Sequence, residues 1–179
     1  MSTLLRSFVF NADARHLVIY PYRSQNLAEV LVDCSPVSMV IEGKHENLAV
    51  VADLPDLTRL EIRGSTVDEL DFLAASKLRS LLLSRTRIAS IEPLPSMPHL
   101  EVLRLWANPR LKDFRSLVRC HALQNLSFYS CHDVLFPEFS AIPMLSILSL
   151  DCCSGVAKSS IEKIRSRVAI HDRKTSFDD

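Results

Sequence analysis

An apolar pair recurs eight times along the chain, and one position separates the two residues of each pair. The first members recur at steps of 20 to 23 residues and are Leu17, Met39, Leu60, Leu81, Leu103, Leu126, Leu148 and Val168. The second members are Ile19, Ile41, Ile62, Leu83, Leu105, Phe128, Leu150 and Ile170. Apolar residues at alternate positions indicate a short strand with one buried face, and a fixed period of this length predicts a solenoid of stacked repeats.

From the third repeat, a further leucine stands three positions before the first member, as Leu57 does before Leu60. Residues 123–131, LQNLSFYSC, match the pattern L-x-x-L-x-L-x-x-N/C. On these motifs the chain resembles the leucine-rich repeat family, in its short class of about 22 residues per repeat, over roughly residues 14–173. The resemblance implies an α/β leucine-rich repeat solenoid. Its curved parallel sheet of about seven to eight short strands would line the concave face.

Between the predicted strands, apolar residues recur at every third position. Examples are Leu48, Val51, Leu54 and Leu57, and then Leu111, Phe114, Leu117, Cys120 and Leu123. A period of three favours 3₁₀ turns over a regular α-helix, and the three prolines Pro93, Pro95 and Pro98 remove backbone donors from one repeat. We therefore expect 3₁₀ turns or short helices on the convex face.

The pattern predicts a single leucine-rich repeat domain over residues 1–179. Solenoids need caps that cover their exposed core ends, and we assign residues 1–13 to the N-terminal cap. Residues 14–158 hold the repeats. Residues 159–179 hold a C-terminal cap helix over about 159–167, the last strand and a polar tail that is expected to fray.

The family pattern implies a polar residue three positions after the second apolar member, where the chain turns away from the strand. In this chain the series at that turn position is Tyr22, Lys44, Ser65, Thr86, Asn108, Cys131 and Cys153. Two of the three glycines, Gly43 and Gly64, directly precede the turn position. This placement indicates either a shared backbone conformation or a low spot on the surface.

Side chains alternate along a strand, so residues between and just after the apolar pairs should face the concave side. The residues between the pairs, called the middle row, are Val18, Val40, Glu61, Leu82, Arg104, Ser127, Ser149 and Ala169. The residues just after the pairs, called the end row, are Tyr20, Glu42, Arg63, Ser84, Trp106, Tyr129, Asp151 and His171. The end row contains the single tryptophan of the chain and two of its three tyrosines.

Aromatic residues and arginines on rigid elements bury much area with little loss of entropy, and they dominate many protein interfaces. We predict a partner-binding concave face made of Arg59, Glu61, Arg63, Arg85, Arg104, Trp106, Tyr129 and Asp151. Trp106, Tyr129, Arg104 and Arg63 are its expected anchors. The alternative for Trp106 is that it only covers a neighbouring strand.

Cysteines and histidines offer little chemistry at these spacings. The five cysteines form an odd set, and none of them has the close C-x-x-C pairing of a zinc site, so we expect reduced thiols and no metal. His16, His45, His99, His121 and His132 look like solvated loop or strand-edge residues. A glycine-rich phosphate loop, a G-x-S-x-G elbow and an H-E-x-x-H motif are all missing from the sequence. We therefore expect no enzymatic activity and no cofactor.

These features predict a non-enzymatic module that binds a protein partner with its concave sheet, such as an inhibitor or immunity protein that neutralises an enzyme or toxin. The alternative is an adaptor or scaffold subunit of a larger complex, including a ribonucleoprotein. The net charge of zero argues against nucleic acid and against a membrane surface as partners. We expect a monomer when the protein is free. The broken apolar start of the chain and the unpaired thiols favour the cytoplasm.

Overall fold

The computed structural model describes residues 8–22 and 24–178, and one continuous sheet runs along them. Strand β1 (Phe8–Asn11) forms one edge and is antiparallel to its neighbour. Eight parallel strands follow in chain order: β2 (His16–Ile19), β3 (Ser38–Glu42), β4 (Arg59–Arg63), β5 (Ser80–Ser84), β6 (Val102–Trp106), β7 (Asn125–Tyr129), β8 (Ile147–Asp151) and, after β9 (Val156–Ala157), β10 (Ala169–Arg173). β9 pairs with β11 (Phe177–Asp178) in a separate small sheet.

The apolar pairs of the first seven repeats stack on one another as the sequence predicts. Leu17 is opposite Met39, and the register continues without a slip to Leu150. Each of these residues is at most 1% exposed. Because side chains alternate along a strand, this stacking places the middle and end rows on the opposite, concave face.

The predicted register of the last repeat is wrong by two residues. Ile170, not Val168, is opposite Leu148, and Asp172 is opposite Leu150. His171 and Arg173 therefore take the middle-row and end-row positions that the sequence assigns to Ala169 and His171. Val168 is buried, but it belongs to the segment before the strand. In the sequence, this apolar residue two positions before Ile170 looks like the first member of an apolar pair. With the corrected register the last step is 22 residues, like the others.

The convex side consists of short turns, as predicted. The 3₁₀ segments are Leu48–Asp53, Asp71–Leu73, Leu94–Ser96, Arg115–Arg119 and Phe139–Ala141, and the first and last repeats instead carry the short helices α1 (Leu27–Val30) and α2 (Lys158–Glu162). Each segment buries one or two apolar residues against the sheet, such as Leu73, Leu94 and Leu117. Short turns permit a repeat of about 22 residues because little chain is needed to return to the next strand.

The two ends of the chain differ in structure. Of the predicted N-terminal cap, residues 1–7 lie outside the described residues, and β1 forms an antiparallel hairpin with β2. At the other end α2 is shorter than the helix predicted over 159–167, and the segment expected to fray pairs through β11. Phe177 explains this ordering, since its ring is half-buried and packs against the main core.

A left-handed residue follows the end row in each repeat from the second onward. These residues are Gly43, Gly64, Arg85, Ala107, Ser130, Cys152 and Lys174, with φ between 48° and 86°. The backbone N–H of Arg85 donates to the carbonyl of Trp106 at 3.0 Å, and the equivalent bond recurs between neighbouring repeats. Of the two interpretations given for Gly43 and Gly64, the structure shows the shared backbone conformation. At Gly43 a Cβ would lie 2.7 Å from the Cβ of Pro21, so this contact excludes a side chain there, although other residues adopt the same left-handed conformation.

Buried polar residues fill the turn position in the middle of the solenoid. The side chain of Asn108 accepts from the backbone N–H and the hydroxyl of Thr86 at 3.0 and 2.8 Å, and it donates to the carbonyl of Leu83 at 2.9 Å. These bonds satisfy backbone groups where the chain leaves the strand, as the family pattern implies.

His45 contradicts the expectation that it is a solvated histidine. Its ring is 5% exposed, accepts at Nδ1 from the backbone N–H of Gln25 and contacts the carbonyl of Glu42 through Nε2 at 2.7 Å. Lys44, which occupies the turn position in the sequence pattern, is exposed instead. In this repeat His45, one residue after the turn position, is therefore the side chain that hydrogen-bonds the backbone where the chain leaves the strand.

The stacked core gives a first stability prediction. Leu103→Ala should lower the free energy of unfolding by about 2 to 5 kcal/mol, because it leaves a cavity in a fully buried position of the central strand β6. Urea unfolding measured by circular dichroism checks this value. Ile147→Ala is the matched control, since Ile147 begins strand β8 but is 37% exposed, and its loss should cost less than about 1 kcal/mol. Equal costs for the two variants would contradict the assigned faces.

Asn108→Ala should destabilise the protein although it removes no apolar contact. Three buried backbone and hydroxyl groups lose their partner, and each unpaired group costs about 1 to 3 kcal/mol. The same unfolding experiment measures the loss. Asn125→Ala is the control, because its side chain accepts a single long hydrogen bond from Ser146 at 3.5 Å. A loss for Asn108→Ala no larger than that of the control would refute the structural role.

Candidate functional site

The predicted binding residues lie on or next to the central strands of the concave face. Arg59, Glu61 and Arg63 alternate along β4 with the buried Leu60 and Ile62, so all three project to the concave side. Arg104 and Trp106 do so on β6, Tyr129 ends β7, and Asp151 ends β8. Arg85 occupies the left-handed position directly after β5 and is exposed there.

Trp106 and Tyr129 form an aromatic pair at the centre of the end row. They are opposite each other in the register of β6 and β7, and their ring centroids are 6.2 Å apart with a 57° tilt. Tyr129 is 44% exposed, and Trp106 is half-buried. Both aromatic anchors therefore present ring surface to solvent from strands of the sheet. Little side-chain entropy is lost when a partner covers rings held in this way.

A shallow depression of about 340 Å³ lies beside the aromatic pair. Its lining is formed by Arg63, Ser84, Arg85, Trp106, Ala107 and Tyr129. Four of the eight predicted binding residues meet there, while Arg59, Glu61, Arg104 and Asp151 lie outside the lining. Ser84 and Ala107 are the small residues that make the depression possible, and a search for large or charged side chains does not single them out.

The floor of the concave face is more apolar than predicted. Leu82 is 3% exposed and Val40 is 8% exposed, although both belong to the middle row and neither joins the main hydrophobic core. Leu82 lies between Glu61 and Arg104 in the register, so longer side chains on both sides cover it. Both side chains face the concave side as expected, but their neighbours leave them buried there.

Ion pairing divides the concave arginines into two groups. Arg63 is paired with two carboxylates, that of Glu42 at 3.4 Å and that of Glu61 at a shorter distance. Arg59, Arg85 and Arg104 have no ion pair and no side-chain hydrogen bond within the described part of the chain. The positive charge at the centre of the face is thus free to meet an external group.

Thiols and histidines form no chemical site in the residues that the structure describes. Among these residues, no group of three or more His, Cys, Asp or Glu side chains could hold a metal ion. Burial raises the pKa of the Cys120 thiol to about 11, which keeps it protonated at neutral pH. The Cys131 thiol donates to the carbonyls of Leu105 and Tyr129, both at 3.7 Å. Its interaction with the Cys153 thiol, together with burial, raises the pKa of Cys131, and the same interaction lowers the pKa of Cys153 to about 7. Protonated buried thiols are poor nucleophiles.

The five free cysteines allow a chemical test of the fold. In the native protein, iodoacetamide should label Cys34 and Cys152, which are half-buried, well before the buried Cys120, Cys131 and Cys153. Intact-mass spectrometry followed by peptide mapping measures the order. All five should react at similar rates in urea, and fast native labelling of Cys120 would contradict its burial.

Comparisons with known proteins agree with the repeat architecture. Residues 76–119 match the family model described as Leucine Rich repeats (2 copies). No sequence among the curated proteins matches the chain significantly. Among solved structures, an internalin (inlF) from Listeria monocytogenes str. 4b F2365 is similar, with a TM-score of 0.68 and 19% sequence identity. The match covers 93% of this chain and 50% of that chain, so this chain spans half the length of the internalin and shares its fold.

Within residues 8–22 and 24–178, no helix has the length and apolar character that crossing a bilayer requires.

Proposed function

Because this chain is a leucine-rich repeat protein, we propose that it is a non-enzymatic module that binds a protein partner on its concave sheet. The observation that carries the proposal is the pairing of Trp106 with Tyr129 beside the depression, on strands that are fixed by a fully buried core. Surface aromatics held in this way bind with little ordering cost.

The size of the face supports a protein as the partner. Eight parallel strands at about 4.8 Å spacing give a surface roughly 35 Å long, which is enough for an interface of standard size. The depression is shallow and open, as suits a protein side chain better than an enclosed small molecule.

Within this class we favour an inhibitor or immunity protein that masks an enzyme or toxin. A preformed face with mixed charge and exposed aromatic rings is suited to tight, rigid docking, as in many complexes of enzymes with their inhibitors. The alternative adaptor or scaffold role uses the same face. We place the protein in the cytoplasm as a monomer when free, and its five free thiols support a reducing compartment.

Replacement of the anchors tests the proposal. Trp106→Ala or Arg104→Ala should weaken binding of the native partner by at least about 1 kcal/mol, while the melting temperature changes little because neither residue belongs to the core. The partner is captured from the native cell extract on immobilised wild-type protein, identified by mass spectrometry and titrated calorimetrically against each variant.

Two controls make this experiment decisive. Met144→Ala removes a 55% exposed apolar side chain from outside the strands and should leave the affinity unchanged. Variants that lose stability but keep affinity would refute the concave assignment. A loss of affinity with added salt as steep as about six to ten phosphate contacts produce would indicate nucleic acid, whereas the weaker dependence expected of a few arginine–carboxylate pairs supports a protein partner.

A further inference from the structure

The middle of the concave face holds two arginines whose charge the protein leaves uncompensated. Arg85 and Arg104 make no ion pair and no side-chain hydrogen bond with the described residues. Arg63 on the neighbouring strand β4 shows the contrast, because Glu42 and Glu61 both neutralise it. The three arginines lie on or directly after the neighbouring strands β4, β5 and β6, so what differs is whether a carboxylate stands next to each of them.

The surroundings of Arg104 explain why its charge stays unpaired. Its neighbours in the middle row are Leu82 on one side and Ser127 on the other, and neither carries a charge. Glu61 lies two strands away, roughly 10 Å at the sheet spacing, and is already bound to Arg63. Arg104 is nevertheless half-buried, and no counter-ion contacts it within the described residues.

Arg85 is the second unpaired arginine near the aromatic pair. It lines the depression together with Trp106 and Tyr129, and its backbone N–H is bonded to the carbonyl of Trp106. Arg104 precedes Trp106 by two residues on β6 and projects to the same face. One free guanidinium group thus lines the aromatic depression, and a second lies outside it on the same face, two residues before Trp106.

Resting on the proposed function, we infer that this patch receives an acidic segment of the partner protein. Carboxylates of the segment pair with Arg85 and Arg104, and an apolar or aromatic side chain between them fills the depression against Trp106 and Tyr129. A guanidinium fork binds a carboxylate with two parallel hydrogen bonds, which makes each such pair stronger than a neutral hydrogen bond.

The charges around the patch favour a protein segment over a nucleic acid. Asp151 is opposite Tyr129 in the register. On the other side of the depression, Glu61 shares strand β4 with Arg63 and Glu42 is opposite Arg63 on β3. A continuous phosphate backbone running along the sheet would meet these carboxylates. A short segment with its acidic groups spaced apart meets the arginines alone.

The experiment uses the whole protein and a library of random peptides displayed on phage. Selection on the immobilised wild type should enrich peptides with Asp or Glu on both sides of an apolar or aromatic residue. The double variant Arg85→Gln/Arg104→Gln should bind the selected peptide at least about tenfold more weakly in fluorescence polarisation, as expected when charge-assisted pairs are lost. The peptide with Asn and Gln in place of its acids should lose the same affinity on the wild type.

The matched control is Arg87→Gln/Arg165→Gln, which removes two exposed arginines outside the strands and changes the net charge equally. It should bind the selected peptide like the wild type. Equal weakening in both double variants, neutral or basic selected peptides, an absence of enrichment, or tighter binding of single-stranded RNA oligonucleotides would each overturn the inference. If the native partner is captured and lost with Trp106→Ala while selected peptides are not acidic, the proposed function stands and the acidic segment is wrong.

Discussion

The structure depends on the stacking of one apolar pair per repeat upon the pair of the next. A strand that slipped by one residue would turn its leucines toward solvent and its arginines into the core, so burial fixes the register along the sheet. Each pair from Leu17 to Leu150 is essentially inaccessible to solvent. Because side chains alternate along a strand, the register of these pairs also fixes the positions of the concave side chains. The backbone of the concave face is therefore held in place by the core beneath it.

The repeat period makes most of the fold predictable from the sequence, and four of the six residues that line the candidate depression are among the predicted binding residues. The positions of Arg63, Trp106 and Tyr129 follow directly from strand alternation. The last repeat does not, because Val168 is buried by the segment before the strand and imitates a strand position. A one-dimensional pattern records that a residue is apolar but not which element buries it.

Neighbouring side chains explain the remaining differences. Leu82 is covered because residues on the adjacent strands are long, and His45 is buried because Lys44 projects to solvent and the ring reaches two backbone groups. The pairing of Arg63 and the isolation of Arg104 also arise across strands. These effects depend on residues about 20 positions apart, and only the register brings them together.

The left-handed residue after each end-row position is a place where the side chain varies between repeats while the backbone conformation is kept. Five of the seven described residues of this kind are not glycine, and a Cβ added at Gly64 would meet nothing within 4 Å. Apart from Gly43, such a site sits at the border of the concave face, carries a conformation set by the backbone and leaves the core untouched. The side chain shown there, as with Arg85, can therefore differ from one repeat to the next while the scaffold keeps its shape, at the cost of the left-handed backbone conformation.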